Sequence, residues 1–384
     1  MNIGIVLYPT YGGSGVVGTE LGKALADKGH NIHFITYRQP VKLEEFTANI
    51  SYHEVRVSDY PLFDYPPYEL VLASKLVDVV KYEKLDLLHV HYAIPHASAA
   101  YMAQQILKTE GIEIPFITTL HGTDITLVGK DASFEPVITF SINQSNGVTA
   151  VSESLKSDTY EHFKIKNGID VIPNFICIKQ YEGVTIDEHL KESLAPNGER
   201  IIIHISNFRK VKRVADVVKV FAKIREKMPA KLVLVGDGPE RNKIEQMCRE
   251  LGLCNDLHTM GKVNDTIRVL SIADLFILPS QSESFGLAAL EAMAAKTPVI
   301  STNTGGIPEV NINGVTGYMS DIGDVKDMAK NALLILKDDE TLNRFKEASF
   351  DQARKFDLSN ILVRDSNTSN DDVQNIVTQV IVQD

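Results

Sequence analysis

Residues 275–301 read LFILPSQSESFGLAALEAMAAKTPVIS, and this stretch decides how the chain folds. Residues 275–278 are a short, wholly apolar run closed by Pro279, the pattern of a strand buried on both faces. Residues 287–295 carry apolar side chains at helical spacing, and residues 298–301 return to strand character. Strand, helix and strand in so short a span make a βαβ unit, the connection that joins parallel strands.

The loop inside that unit carries the sharpest chemical signal. Glu283 is expected just before the helix and Glu291 two turns within it, so that both carboxylates can face one side. The backbone amides of Ser284, Phe285 and Gly286, leading into Leu287, open a helix N-terminus where a phosphate is favoured. Carboxylates bind sugar hydroxyls and amides bind phosphate, so one segment could hold a nucleotide sugar. An acidic pair that merely stabilises the helix dipole would not explain an opening of Ser-Phe-Gly.

The same alternation extends in both directions. Strands are expected at 200–205 and 231–235, with helices at 215–227 and 240–251. Earlier in the chain, strands are expected at 2–8, 31–36, 86–91, 114–120 and 147–151, with helices at 16–28 and 70–82. At 384 residues this implies two α/β, doubly wound, Rossmann-like domains. The reading assigns 1–173 to the first and 174–355 to the second, with a tail at about 356–384 that packs back on the first. In open α/β sheets ligands sit beyond the carboxyl ends of the strands, so two such domains are expected to face each other across a cleft.

Three further post-strand loops fit that expectation. Gly12-Gly13-Ser14-Gly15 precedes a helix and would let backbone approach an anion. Gly13, Gly15 and Gly18 match a dinucleotide spacing, but the second strand ends in Thr36-Tyr37-Arg38 where an acidic ribose ligand would stand; Arg38 keeps an NADP reading open. Residues 206–213 (SNFRKVKR) form a basic loop able to grip a diphosphate and offset charge on a leaving group. Basic residues are unfavourable beside the positive end of a helix unless an anion is present. Gly236-Asp237-Gly238-Pro239 is a strand-to-helix turn, and 302–309 (TNTGGIPE) adds another wall.

His89 and His91, on one face of a strand, with His121 and Asp124 beyond, could make a metal site. The strand is otherwise apolar, so core or loop-bonded histidines are the stronger reading, and no metal is expected. His121, entering a glycine loop, is placed to hydrogen-bond a sugar hydroxyl.

Formal charge of −11 argues against nucleic acid as a partner. No apolar run is long enough to span a bilayer, so no stable membrane insertion is expected. The three cysteines have neither CxxC nor disulfide-framework spacing, which fits a reducing cytoplasm. A homo-oligomer is compatible with all of this.

The order of these segments resembles the GT-B-fold retaining glycosyltransferases of family four: glycine-rich first loop, His121 with Thr123-Asp124, basic loop, Gly236–Pro239 turn, and Glu283 with seven residues to Glu291. The stretches 8–15, Tyr65-Pro66-Pro67-Tyr68, 89–97 and 206–213 are similar to those of the N-acetyl-α-D-glucosaminyl L-malate synthases that begin bacillithiol biosynthesis. The resemblance implies UDP-N-acetylglucosamine as donor, L-malate as acceptor, and no cofactor or metal. It implies that Glu291 binds the ribose, Glu283 the transferred sugar, and Arg209 and Lys212 the diphosphate, with His121 near the sugar. Gly13, Ser284, Phe285, Gly286 and Leu287 fall on the donor side, and Ser14, Tyr92 and Thr119 on the acceptor side. The wider family has an arginine five residues before the lysine, where this chain has Asn207; Arg209 is expected to replace it. A different acceptor, a nucleotide-sugar epimerase, and a non-catalytic nucleotide-sugar binding protein remain alternatives.

Overall fold

The computed structural model describes residues 1–43, 48–57, 67–127 and 131–362. Tyr65 and Pro66, and the part of the tail from 363 to 384, lie outside the described residues. The chain divides into two compact units, Met1–Asn174 with the residues from Ser359, and Phe175–Leu358.

The first unit runs β1 (Asn2–Val6), α1 (Gly13–Asp27), β2 (Asn31–Thr36), β3 (Ile50–Glu54), α2 (Tyr68–Glu83), β4 (Leu87–His91), α3 (Ser98–Thr109), β5 (Phe116–Leu120), α4 (Glu135–Gln144), β6 (Gly147–Ala150), α5 (Glu153–His162) and β7 (Asp170–Val171). Its seven strands are ordered β3-β2-β1-β4-β5-β6-β7, all parallel. The order reverses between β1 and β4, which makes that gap the topological switch point.

Helix α1 begins at Gly13, three residues earlier than the sequence suggested, so Gly13, Ser14 and Gly15 form its first turn. Close packing explains the glycines. A Cβ at Gly15 would stand 2.3 Å from the Thr10 carbonyl oxygen, and one at Gly22 would stand 2.4 Å from Phe34 Cζ. Gly15 therefore lets α1 pack on the loop after β1, and Gly22 lets it pack on the sheet. On the opposite face α2 and α3 cover β1, β2, β4 and β5 with a core that includes Val6, Ile35, Leu72, Leu76, Val90 and Phe116.

The second unit runs α6 (Glu188–Leu194), β8 (Arg200–Ile205), α7 (Val214–Arg225), β9 (Ala230–Val235), α8 (Arg241–Glu250), β10 (Leu257–Gly261), α9 (Thr266–Leu270), β11 (Leu275–Leu278), α10 (Leu287–Ala294), β12 (Val299–Thr302), α11 (Ile307–Val310), β13 (Gly317–Ser320), α12 (Val325–Leu336) and α13 (Asp339–Arg354). Six parallel strands are ordered β10-β9-β8-β11-β12-β13, with the switch point between β8 and β11. The residue 275–301 stretch supplies β11, α10 and β12, as its pattern required. Among the described residues no helix is long and apolar enough to cross a membrane.

Candidate functional site

In the second unit the loops after β8 and β11 meet at the switch point. Lys212 Nζ donates to Glu283 Oε1 at 2.5 Å, and Ser280 Oγ donates to the same oxygen at 2.8 Å. Both members of the ion pair are largely enclosed, with 22% of the Lys212 side chain and 12% of the Glu283 side chain exposed. Charges held this far from water interact more strongly than a surface pair. The amide of Gln281 also donates to the Val211 carbonyl at 2.8 Å, joining the loops through their backbones.

The loop after β12 fixes Glu283 from behind. Gly306 N donates to the Glu283 carbonyl at 3.0 Å. Gly305 has φ +55°, and a Cβ there would stand 1.9 Å from that same oxygen, so the Gly-Gly of residues 302–309 is a steric requirement. Thr302 Oγ1 donates to the Ser280 carbonyl at 2.6 Å.

Gly286 caps α10 in a left-handed conformation (φ +94°), and the helix proper opens at Leu287. Two expectations change as a result. The first-turn amides without intrahelical acceptors are those of Leu287 and Ala288, whereas Ser284 and Phe285 precede the cap. Glu291 stands little more than one turn inside the helix, half-buried, instead of two turns in. Phe285 is fully buried and meets Phe356 edge-on at 5.6 Å, which makes it an anchor for the loop. Ser284 and Leu287 are half-buried.

Of the four cations in the basic loop, Lys212 alone reaches Glu283. Arg213 is turned to Asp216, its Nε donating at 2.7 Å. Arg209 is exposed and makes no side-chain hydrogen bond or ion pair among the described residues; Asn207 is exposed as well. The Gly236–Pro239 turn supports this loop from below. Gly236 has φ +125°, and a Cβ there would lie 1.8 Å from the Ser206 carbonyl oxygen. The sequence did not single out His204, whose Nδ1–H donates to the Ile277 carbonyl at 2.8 Å, leaving Nε2 to accept from Ser206 Oγ at 2.7 Å. Burial pushes its pKa down to about 4, so the ring stays neutral beneath the ion pair. Its place in an otherwise apolar strand was the available signal.

In the first unit the loops after β1 and β4 also meet at the switch point. Ser14 Oγ and Tyr92 Oη lie 2.7 Å apart. Tyr92 has φ +91°, a strained backbone for a non-glycine residue, and its ring packs at 5.3 Å from that of His121. His121 Nε2 is 2.7 Å from His91 Nδ1, and burial pushes the pKa of His121 down to about 3. Ser14, Tyr92 and His121 are thus brought into one neutral cluster beside the first turn of α1, where Gly13 lies.

Asp124 holds the cluster together, accepting from Ala93 N at 2.9 Å and from Gly122 N at 3.1 Å. Burial raises its pKa to about 6 against the pull of these backbone donors. The Thr119 hydroxyl is engaged by His89 Nε2 at 2.7 Å and Thr149 Oγ1 at 2.8 Å, and its carbonyl accepts from Tyr92 N. It braces the Tyr92 loop from the interior. His89 bonds Thr119, His91 bonds His121 and Asp124 accepts from backbone amides, and among the described residues these four do not group as a metal trio.

His96 was missed as a site candidate, although it lies in the quoted 89–97 stretch. It is fully buried, its Nδ1–H donates to the His91 carbonyl, and Nε2 has no partner among the described residues. Its ring stands 4.5 Å from that of Tyr8. The Tyr68 hydroxyl, nearby in the same aromatic cluster, is also buried without a partner among the described residues. Buried polar atoms are seldom left unsatisfied.

Two parallel doubly wound sheets, each with polar side chains closing its switch point, are the architecture of the GT-B glycosyltransferases, and the chain is a glycosyltransferase of that class. Residues 185–352 match the model of the glycosyl transferases group 1, and residues 11–180 match that of Glycosyltransferase Family 4. The chain is 49% identical over 358 residues to the N-acetyl-alpha-D-glucosaminyl L-malate synthase of Bacillus anthracis, an alignment covering 92% of this chain and 93% of that one. Among solved structures it resembles Anabaena HepE in complex with UDP and glucose (TM-score 0.79, 19% identity, 99% of each chain). It also resembles sucrose-phosphate synthase of Thermosynechococcus elongatus (TM-score 0.77, 20% identity, 94% and 96% of the chains). The chain belongs to the family-four glycosyltransferases.

Proposed function

We propose that this enzyme transfers N-acetylglucosamine from UDP-N-acetylglucosamine to the hydroxyl of L-malate with retention at the anomeric carbon, the first step of bacillithiol biosynthesis. The observation that carries the choice of donor sugar and acceptor is the near full-length match to the Bacillus anthracis synthase at 49% identity. The Lys212–Glu283 pair supports the chemistry. Lys212 neutralises the diphosphate, as a divalent ion otherwise would, and Glu283 binds the transferred sugar, with Glu291 on the ribose. Arg209, unengaged by the described residues, closes on the phosphates.

On the acceptor side Ser14, Tyr92 and the first turn of α1 offer hydrogen bonds to carboxylate oxygens. His121 Nδ1, the ring nitrogen not used by His91, faces the sugar. The bond from the anomeric carbon to the phosphate oxygen breaks as the malate oxygen bonds to the same face of that carbon. The malate hydroxyl proton passes to the departing phosphate oxygen, and UDP leaves. Glu283 is held by Lys212 and Ser280, which suits a positioning carboxylate better than a nucleophile.

The test is UDP release from UDP-N-acetylglucosamine across small hydroxy acids, with and without chelator, and the product's anomeric configuration by NMR. Release that needs L-malate, survives chelator and gives the α-glycoside is expected. Release with another acceptor only, an isomerised sugar from donor alone, or UDP binding without turnover would each replace the proposal.

A further inference from the structure

Away from the switch point, the first unit brings together a second set of titratable side chains that the transfer reaction does not use. His33 on β2 and His53 on the edge strand β3 lie on the sheet face that α2 covers, and Glu83 is the last residue of α2. The register pairs His33 with Ser51 and Ile35 with His53, so the two imidazoles project from the same face, one step apart along the strands. His33 Nδ1 and His53 Nε2 are 3.0 Å apart with the rings stacked. One donor atom from each of His33, His53 and Glu83 lies within 4.8 Å of the other two, the only such trio among the described residues.

We propose that His33, His53 and Glu83 form a binding site for a divalent transition-metal ion of the zinc type. Two imidazoles and one carboxylate, with water completing a tetrahedron, is a donor set that borderline metals accept and that hard ions such as magnesium do not prefer. Metal–nitrogen bonds of about 2.0–2.1 Å at the tetrahedral angle place two nitrogens about 3.3–3.4 Å apart. The observed 3.0 Å separation lies within a few tenths of an ångström of that spacing. His33 is almost wholly buried, so its ring is already held in place, while Glu83 is exposed and can swing in.

The Glu83 carboxylate has no hydrogen bond or ion pair among the described residues. Lys75, a cation on α2 that acts on His53, is itself paired with Asp78 at 3.2 Å. Metal here would clip strand β3 to the end of α2. The bland alternative is a lone hydrogen bond between two neutral imidazoles, which needs no carboxylate beside it.

The test is zinc titration of the full-length protein against a chromophoric chelator, repeated with His53→Gln, Glu83→Gln and Cys254→Ser. His53→Gln can keep a hydrogen bond to His33, and Glu83→Gln changes an exposed position, so both should fold. One equivalent of zinc is expected in the parent and in Cys254→Ser. Affinity should fall on the order of tenfold or more in the other two. Cobalt substitution should give tetrahedral d–d bands without a thiolate charge-transfer band, and zinc should raise the melting temperature of the parent but not of His53→Gln. No bound equivalent, one that survives both substitutions, or one lost in Cys254→Ser with a thiolate band would overturn the site.

Discussion

At the switch point of the first sheet, the loops after β1 and β4 meet through Ser14 and Tyr92, two hydroxyls 2.7 Å apart. At the switch point of the second, the loops after β8 and β11 meet through Lys212 and Glu283, two full charges. Around Ser14–Tyr92 stand the neutral, buried rings of His91, His96 and His121. Around Lys212–Glu283 stand one neutral histidine and a loop of cations. The same topology thus presents a hydrogen-bonding surface in one unit and an electrostatic one in the other. A reaction whose leaving group gains charge while its acceptor only loses a proton calls for that division of labour.

If the division is real, the largest effect belongs to the charged side. Lys212→Ala should lower kcat by about 10²–10³-fold with the acceptor KM little changed, the scale seen when a donor to a developing anion is removed. Steady-state kinetics with both substrates varied would show it. A second contrast is acid stability. His89 and His96, at about 4, and His121, at about 3, stay neutral in the folded first unit, whereas the unfolded chain protonates near 6.5. Their contribution is full above about pH 6.5 and is lost as pH falls toward 4. Asp124, raised to about 6, opposes this, since its folded form binds a proton more readily than the unfolded one over the same range. With three imidazoles against one carboxyl, the net effect is a loss of stability in the first unit as pH falls below about 6.5. Hydrogen exchange followed by mass spectrometry should therefore show the first unit opening before the second on acidification.

Smaller effects sharpen the neutral side. Asp124→Asn puts an amide N–H against backbone donors and should cost about 1–3 kcal/mol, read as a lower melting temperature. Tyr92→Phe removes one hydroxyl from the Ser14 pair. It should raise the acceptor KM by about fivefold while leaving the donor KM unchanged, the equivalent of about 1 kcal/mol. Equal effects of Tyr92→Phe on both substrates would blur the distinction between the two units.

The repeated βαβ pattern was legible because parallel strands buried on both faces leave unbroken apolar runs such as residues 201–203 and 275–278. Strands 200–205, 275–278 and 31–36 stand where the sequence put them. Edge strand β3 was not legible, since Ile50–Glu54 alternates partly exposed polar residues without a continuous apolar face. Helix starts were misplaced where glycine intervenes. Gly13–Gly15 reads as loop because glycine is a poor helix former, yet packing against Tyr8 and Thr10 holds it helical. In the site, Glu283 and Lys212 could be anticipated as chemistry, but their direct pairing could not, because it depends on β8 lying beside β11. The partners of Thr119 were hidden for a related reason, since His89 and Thr149 come from neighbouring strands. His96 carried no signal beyond its place in a quoted motif, and its orphaned nitrogen is visible only in three dimensions.

The ion pair at the second switch point bears most of the proposed chemistry, and UDP affinity measured by calorimetry in chelator tests it most directly. The parent protein should bind UDP without added metal, and Lys212→Ala should bind it at least tenfold more weakly, the equivalent of about 1.4 kcal/mol. Equal affinity in the two proteins, or binding in the parent that appears only when a divalent ion is supplied, would contradict it.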